Sequence, residues 1–286
     1  MKAAKDNGDE WDLVLKPKSN LLEFNIRELL HYRDLVGLLV VRDLAGVYKQ
    51  TILGWAWFII QPLATTFIFM FVFGGIAKIG TDDIPQPLFY FCGTTLWAFF
   101  STNLMKCSDT FVANAGLFGK IYFPRFTMPI AYTITNLFSM VVQLTALIVI
   151  YIYYLATGYH FTPTPWLITV PFLIVQLGML GAGIGIMVSA FTTKYRDLKQ
   201  LLGFGMTLWM YATPIVYPLS KVPAKWRWVY QINPVSAVVE TFRYALLGKG
   251  TLDIVSWIIS FVVTIVLFLA GIIIFNHNER TFIDVV

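Results

Sequence analysis

Long uninterrupted apolar blocks constrain this chain more than any other feature of its sequence. Six blocks are long enough to cross a hydrocarbon core of about 30 Å, which takes roughly 20 residues of α-helix. The predicted spans are 53–77, 87–105, 130–156, 166–191, 200–217 and 254–276. None of them contains Asp, Glu, Lys, Arg or His. Outer-membrane barrels alternate apolar and polar residues instead, so the pattern predicts an all-α membrane protein with six transmembrane helices.

The charged residues support this class and orient the chain. Only 13% of the 286 residues are charged, against roughly 25% in soluble proteins. The basic residues lie between the apolar blocks rather than in one patch, so the pI of 9.1 does not indicate a nucleic-acid partner. With both termini on the same side, 15 of the 21 Lys and Arg residues fall on that side. The positive-inside rule therefore predicts a multi-pass inner-membrane protein with both termini in the cytoplasm.

The absence of ionisable residues from the predicted spans argues against several classes of transporter and enzyme. Proton-coupled transporters place ionisable relay residues inside the membrane, and these spans have none. Sodium coupling through hydroxyls and carbonyls remains open. The string from Gly116 to Ile121 has the wrong spacing for a phosphate-binding loop. No acid–base pair or metal-binding spacing is visible, so the chain is predicted not to be an enzyme and to carry no cofactor or metal of its own.

Four segments lie outside the apolar blocks. Residues 1–20 form a polar extension and 277–286 a cytoplasmic tail. The segment 21–52 is predicted to be a cytoplasmic interfacial element, because apolar residues recur at helical spacing over 21–48. Such a helix lies in the membrane interface, either as a simple anchor or as a mechanical element.

The fourth segment, 218–253, is too polar to cross the membrane simply. Its run from Val235 to Leu247 is too short to span and places several apolar residues on one helical face. We expect it to enter the membrane and return, as a re-entrant outer gate, with a surface-lying loop as the alternative. Glu240 and Arg243, three residues apart, are predicted to pair on the opposite helical face.

Aromatic residues are frequent within the spans. Sugar rings present flat C–H faces that pack on aromatic rings, while their hydroxyls form hydrogen bonds at the ring edges. A pathway with such walls would let a glycan slide without one tight site. The candidates for these walls are Trp55, Trp57, Phe58, Tyr90, Trp97, Phe100, Trp209 and Tyr211.

Short strings in a fixed order resemble the permeases of type 2 ABC exporters, and within them the branch that exports O-antigen, capsule and teichoic acid. The match covers nearly the whole chain except 1–20. The strings are Arg42-Asp43-Leu44, Tyr48 to Gly54, Trp57 with Gln61-Pro62, Tyr122 to Arg125, Tyr195-Arg196-Asp197, Thr213 to Pro218, Asn233-Pro234, Phe242-Arg243-Tyr244 and Glu279 to Val285.

The resemblance implies a homodimer of permeases bound to two cytosolic ATPase subunits, which would hold the ATP and Mg²⁺. It implies that the helix in 21–48 is a gate-like element contacting the ATPase, and that the re-entrant segment closes the outer exit. It also implies a coupling helix from Asn114 to Tyr122, with Leu117, Phe118 and Lys120 between them. The gate-like element also contains Arg42, Tyr48 and Lys49. Arg42 and Lys49 are expected either to attract the diphosphate of a lipid-linked cargo or to act only as positive-inside anchors.

The function expected from the resemblance is export of a polyprenyl-diphosphate-linked polysaccharide across the inner membrane, driven by ATP. The lipid would stay in the bilayer beside the protein while the sugar passes through. The alternatives are the permease of a drug or small-lipid ABC exporter, a sodium-coupled secondary transporter, or a membrane-embedded glycan transferase.

Overall fold

The computed structural model of the chain describes residues 30–49, 52–120, 123–192, 195 and 197–282. Outside this part lie the 1–20 extension, residues 21–29 of the interfacial helix, Tyr122, the last four residues of the tail and the side chain of Tyr48. The helices are α1 (Arg33–Tyr48), α2 (Trp57–Phe69), α3 (Gln86–Ser108), α4 (Thr110–Ala113), α5 (Ala115–Phe118), α6 (Thr127–Ala156), α7 (Val170–Thr192), α8 (Leu198–Tyr211), α9 (Arg227–Ile232), α10 (Pro234–Leu247) and α11 (Ile254–Phe282). The described residues contain no strand, which confirms the all-α prediction.

Four helical segments are long and apolar enough to cross a membrane. They are Gly54–Ile76, Thr127–Ala156, Pro165–Thr192 and Ile254–His277, and they correspond to four of the six predicted spans. The first includes a 3₁₀ turn before α2 and a π-helical stretch, Met70–Ile76, after it. The hydrocarbon core of a bilayer offers no hydrogen-bond partners to backbone N–H and C=O groups. An α-helix pairs these groups within itself, so long apolar segments are expected to be helical.

The other two predicted spans differ from this pattern. Helix α3 has 23 residues but carries Gln, Thr, Asn, Ser and Lys side chains. Helix α8 has 14 residues and ends at Tyr211, so it covers 200–211 of the predicted span 200–217. Pro214 follows shortly after, and proline removes a backbone donor and disfavours helix in the residue before it.

Helix α3 forms the centre of the bundle. It packs most extensively against α7 and α6, and α7 in turn packs against α11. Most of its residues are buried by protein, so they need partners in neighbouring helices rather than lipid-like side chains. Asn103, for example, donates to the Gly178 carbonyl at 2.8 Å and accepts from Thr133 at 3.1 Å.

Glycines in α7 allow this close packing. A Cβ added at Gly183 would lie 2.7 Å from Cα of Phe268 in α11, and one at Gly185 would lie 2.6 Å from the Leu104 carbonyl in α3. The close approach of α7 to α3 and α11 therefore requires glycine at these positions. Small residues serve this purpose in membranes because van der Waals contact between helices replaces the hydrophobic drive.

Helix α10 has clear start and stop signals. The Asn233 side chain accepts from the backbone N–H of Val235 at 3.1 Å, and Pro234 occupies the first helical position. Gly248 ends the helix with φ of 68°, a left-handed conformation that favours glycine. The predicted apolar residues Val235, Val238 and Val239 are fully buried.

Candidate functional site

A cavity of about 520 Å³ opens between α2, α3 and α6. We call it the bundle cavity. Uncharged polar side chains form much of its wall. They are Gln61, Thr65, Thr94, Ser101, Thr102, Thr135, Asn136, Ser139 and Gln143.

The helical repeat explains why these residues meet. Thr135, Ser139 and Gln143 follow one another at four-residue spacing on α6, and Gln61 and Thr65 do so on α2. Residues four apart lie on the same face of an α-helix. Two polar stripes, each within an otherwise apolar helix, therefore face one space.

The hydrogen-bonding state of the wall leaves capacity for a guest. Thr65 donates to the carbonyl of Gln61 at 3.0 Å and Thr135 to that of Ala131 at 2.9 Å, so their protons are used within their own helices while their oxygens can still accept. The buried Oε1 of Gln143 has no partner among the described residues. Buried polar atoms are normally paired, so an acceptor of this kind marks a place for a hydroxyl or a water molecule.

Three of the eight aromatic candidates line the bundle cavity. Trp57 and Phe58 come from α2, and Trp97, which is 8% exposed, comes from α3. Aromatic rings and hydrogen-bonding groups therefore occur together in the wall of the bundle cavity, with three of the eight candidate rings present.

The other five aromatic candidates lie elsewhere. Trp55 packs edge-on against Phe138 outside the cavity wall. Tyr90 and Phe100 are fully buried in the core. Trp209 is half-buried and donates to Asn233 at 3.1 Å, while Tyr211 is exposed at the end of α8.

Lys106 is the charged residue among those that line the bundle cavity. It lies at the end of α3 and is partly buried, and it interacts electrostatically with Asp43 of α1. Arg42 pairs with the neighbouring Asp43 at 2.8 Å and is half exposed, and Lys49 is exposed beyond α1. Neither Arg42 nor Lys49 lines the cavity, whereas Val47 from the same helix does.

The described part of the predicted coupling region 114–122 contains one short helix, α5, and α4 immediately precedes it. Asn114 separates them and is 6% exposed, because its amide donates to Tyr132 at 2.7 Å and to the Thr110 carbonyl at 2.8 Å. Leu117 and Phe118 are partly buried, and Lys120 is exposed. Of the four described coupling candidates, only Lys120 is fully presented to the surface.

A buried aromatic cluster connects this region to the rest of the bundle. Phe111 of α4 stacks on Phe275 of α11 with ring centres 4.6 Å apart, and Phe126 contacts Phe275 edge-on at 5.8 Å. Leu39 of α1 belongs to the same cluster. The short helices therefore pack against α1 and α11 through a continuous apolar contact.

The pairing of Glu240 with Arg243 is confirmed, with Nη1 to Oε1 at 3.1 Å. Both side chains are buried, at 8% and 1% exposed. Arg243 also donates to the carbonyls of Phe89, Pro214 and Ile215. The reason is that neighbouring segments bury most of α10, so Arg243 meets backbone carbonyls rather than water.

Sequence reasoning missed Lys106 and Gln143 as site residues. The signal was present in the four-residue polar spacing within spans. Lipid-facing helices have no need of such stripes.

Comparison with known proteins shows which family the chain resembles. The model of the family described as "ABC-2 type transporter" matches residues 34–247. The chain is 26% identical to the O-antigen export system permease protein RfbA of Klebsiella pneumoniae over 254 residues, covering 88% of this chain and 95% of that protein. It is 25% identical to the protein of the same name from Myxococcus xanthus, covering 91% and 98% of the two chains. It is also 25% identical to the polysialic acid transport protein KpsM of Escherichia coli, covering 85% and 92%.

Proposed function

The chain belongs to the ABC-2 type transporter family, and on that premise we propose that it is the permease of an ATP-driven exporter for a polyprenyl-diphosphate-linked polysaccharide. Its relatives are named for the export of O-antigen and for the transport of polysialic acid. The cargo of this chain is accordingly a glycan that crosses the inner membrane. ATP and Mg²⁺ would be bound by a separate ATPase subunit.

The observation that carries this proposal is the wall of the bundle cavity. Hydroxyl and amide groups from three helices face one space, together with Trp57, Phe58 and Trp97. Hydroxyls and amides exchange hydrogen bonds with sugar hydroxyls, and aromatic rings pack on the C–H faces of sugar rings. A small apolar drug or lipid would gain nothing from such a wall, because buried polar groups without partners weaken binding.

The proposed topology has six spans and two cytoplasmic termini. Helix α3, at 23 residues and about 1.5 Å per residue, has the length to cross. Its polar side chains are sheltered because other helices surround it. Helix α8 with residues 212–217 makes the fifth crossing, and α9 and α10 form the re-entrant segment. Irregular backbone at membrane depth is tolerated where protein covers it, and the burial of α10 meets that condition.

The exposed surfaces of α2 and α8 support a homodimer. Met206 is the buried residue of α8, and α2 buries Pro62, Thr66 and Phe69. The other residues of both helices are exposed or half-buried, and they include the exposed polar residue Thr207 of α8. Polar side chains facing lipid are costly, so a second copy of the chain that covers α2 and α8 would remove that cost and enclose a shared path.

The ATPase would act through α4, α5 and the gate-like helix α1. The exposed residues Val112, Gly116 and Lys120 form the accessible side of this region. The Phe111–Phe275 stack and the packing of Leu39 in the same cluster would pass a displacement to α1 and α11. The exposed charged residues of α1 and its packing against α6 support an interfacial position for this helix.

The diphosphate of the cargo would bind at the α1 end of the bundle cavity. Lys106 supplies the charge that faces the cavity, and Arg42 and Lys49 supply charges around its entrance. Asp43, which pairs with Arg42, interacts electrostatically with Lys106. A diphosphate forms charge-assisted hydrogen bonds with lysine that are stronger than neutral ones.

One purification tests the permease assignment. The tagged chain is extracted from its native membrane in mild detergent, and the eluate is assayed for a co-purifying, vanadate-sensitive ATPase. We expect a stoichiometric ATPase subunit, and surface glycan should disappear when the chain is deleted and return when it is restored. A well-folded chain without ATPase, in cells whose surface glycan does not depend on it, would overturn the proposal and favour sodium-coupled transport.

A further inference from the structure

A second cavity, of about 320 Å³, lies among α9, α10 and the start of α11. We call it the α10 cavity. It shares no described lining residue with the bundle cavity. The proposed path through the bundle therefore leaves this space unexplained.

Ser236 gives the first indication of a ligand. Its side chain lines the α10 cavity and is 2% exposed, and its Oγ has no hydrogen-bond partner among the described residues. A buried polar group without a partner costs free energy, so its presence in a cavity wall points to a guest that supplies the partner. A hydroxyl both donates and accepts.

Glu240 provides a strong acceptor in the same wall. One of its oxygens, Oε1, accepts from Arg243 at 3.1 Å. An ionised carboxylate offers about four acceptor positions over its two oxygens, so the group retains capacity toward the cavity. Arg243 fixes the carboxylate in position, because its guanidinium is bound by three backbone carbonyls as well.

Donors and an aromatic ring complete the wall. Arg227, Gln231 and Thr251 bring donor groups to the cavity from α9 and from the loop before α11. Tyr230 lines the cavity as well, and its hydroxyl is held 2.7 Å from that of Tyr217. The lining thus combines acceptors, donors and one ring within a small volume.

These features select one class of guest. Adjacent acceptors and donors match the neighbouring hydroxyls of a sugar ring, and an aromatic wall matches its C–H face. The carboxylates of Glu240 and Asp253 disfavour an anion. No group of three or more metal-ligating residues occurs in the described part of the chain. The volume lies at the lower end of the range for small-molecule sites, about 300–1,000 Å³.

We propose that the α10 cavity is a binding site for one uncharged sugar unit, with Ser236 and Glu240 as its central hydrogen-bonding groups. This inference rests on the proposed function in one respect, namely that the sugar belongs to the exported glycan. The site would hold a unit of the glycan at the α10 end of the protein, apart from the main path.

Binding is tested on the full chain in lipid nanodiscs with glucose, mannose, galactose and N-acetylglucosamine, each followed by saturation-transfer NMR. Glucuronate is the anionic comparison. We expect saturable binding of at least one neutral sugar, little binding of glucuronate, and about fivefold weaker binding in Ser236→Ala, the effect of one lost hydrogen bond. The variant should fold as well as the wild type, because the Ser236 hydroxyl has no partner within the described structure.

Thr127→Val is the matched control. Its Oγ1 is also buried without a partner among the described residues, but it lies at the start of α6 and not in the α10 cavity. This variant should bind sugar like the wild type. Equal sugar binding by wild type and Ser236→Ala, or no binding of any of the four sugars, would overturn the proposed site.

The two proposals fail separately. A chain that exports glycan with its ATPase but shows no Ser236-dependent sugar binding would leave the permease assignment intact and refute the sugar site. A chain that binds sugar through Ser236 but has no ATPase partner and no effect on surface glycan would refute the permease assignment and support the site.

Discussion

The guanidinium carbon of Arg243 lies 3.8 Å from the centre of the Phe89 ring. This contact joins α10 to the first turns of α3, and the hydrogen bond from Arg243 to the Phe89 carbonyl at 3.2 Å reinforces it. An arginine that is 1% exposed needs such partners, since burying a charge without them is costly. Arg243 is therefore the residue that fixes α10 against the rest of the bundle.

Replacing Arg243 with leucine should destabilise the protein strongly. The change leaves the Glu240 carboxylate buried without its partner and removes the arginine donor from the carbonyls of Phe89, Pro214 and Ile215. Breaking a buried ion pair by removing one partner costs roughly 3–5 kcal/mol. Thermal unfolding in detergent measures the effect, with Arg227→Leu as an exposed control that should unfold like the wild type. Equal stability of the two variants would contradict the assigned role.

A methyl group at Gly183 should separate α7 from α11. The added Cβ would meet the backbone of Phe268, which cannot move aside as a flexible side chain would. Overpacking of this kind costs about 1–3 kcal/mol. Gly37→Ala is the control, because nothing lies within 4 Å of its added Cβ, and alanine favours a helix by up to about 1 kcal/mol over glycine. The unfolding temperature should fall in the first variant and stay level or rise in the second.

Asn103→Leu should weaken the centre of the bundle. Asn103 is fully buried and bonds to Gly178 on α7 and to Thr133 on α6. Its loss leaves the Gly178 carbonyl without this donor, at a cost of about 1–3 kcal/mol. Chemical unfolding in detergent should show the loss, while Thr102→Val, at an exposed neighbour, should not. An unchanged unfolding midpoint in Asn103→Leu would show that the network adds no stability.

Asp253 should make stability depend on pH. Hydrogen bonds from the Ser256 hydroxyl and from the backbone N–H groups of Ser256 and Val255 hold the pKa of this carboxyl below its ordinary value of 3.8. Because the folded pKa is below the unfolded one, the stabilisation is complete above about pH 4 and is lost as the pH falls through the folded value. Asp253→Ala should cost about 1 kcal/mol at pH 7, as for other helix N-caps. The gap from the wild type should close on acidification, and a gap that stays constant down to pH 2 would contradict the assignment.

Lys106→Gln should reduce glycan export roughly tenfold while insertion and assembly stay normal. A charge-assisted hydrogen bond contributes about 1.5–3 kcal/mol, and 1.4 kcal/mol corresponds to a factor of ten. Surface glycan measured at matched protein levels gives the result. Lys225→Gln is the control, since Lys225 is exposed and does not line the bundle cavity. Alanine at Arg42 and Lys49 should lower export less, and full export in Lys106→Gln would exclude its role at the diphosphate.

Much of the fold follows from local sequence. Four predicted spans match helices to within a few residues. The pairing of Glu240 with Arg243 also followed from their helical spacing. These features depend on residues within one or two turns of each other, and the helical repeat alone determines their relative positions.

The placement of side chains in the site was harder to predict from the sequence. Eight aromatic candidates reduce to Trp57, Phe58 and Trp97 in the wall of the bundle cavity. Composition identifies aromatic residues but not the direction in which each faces. Lipid and protein interior are similarly apolar, so an apolar residue carries no signal of which one it meets.

The class of the protein and the position of most helices follow from local sequence, because a bilayer offers the backbone no hydrogen-bond partners and long apolar blocks must be helical. The central place of α3, the burial of Arg243 and the cavity that Lys106 shares with Gln143 and Trp97 emerge only when the helices pack. These relationships join helices that are far apart in the chain. Their geometry depends on which faces pack together, and no local pattern encodes that choice.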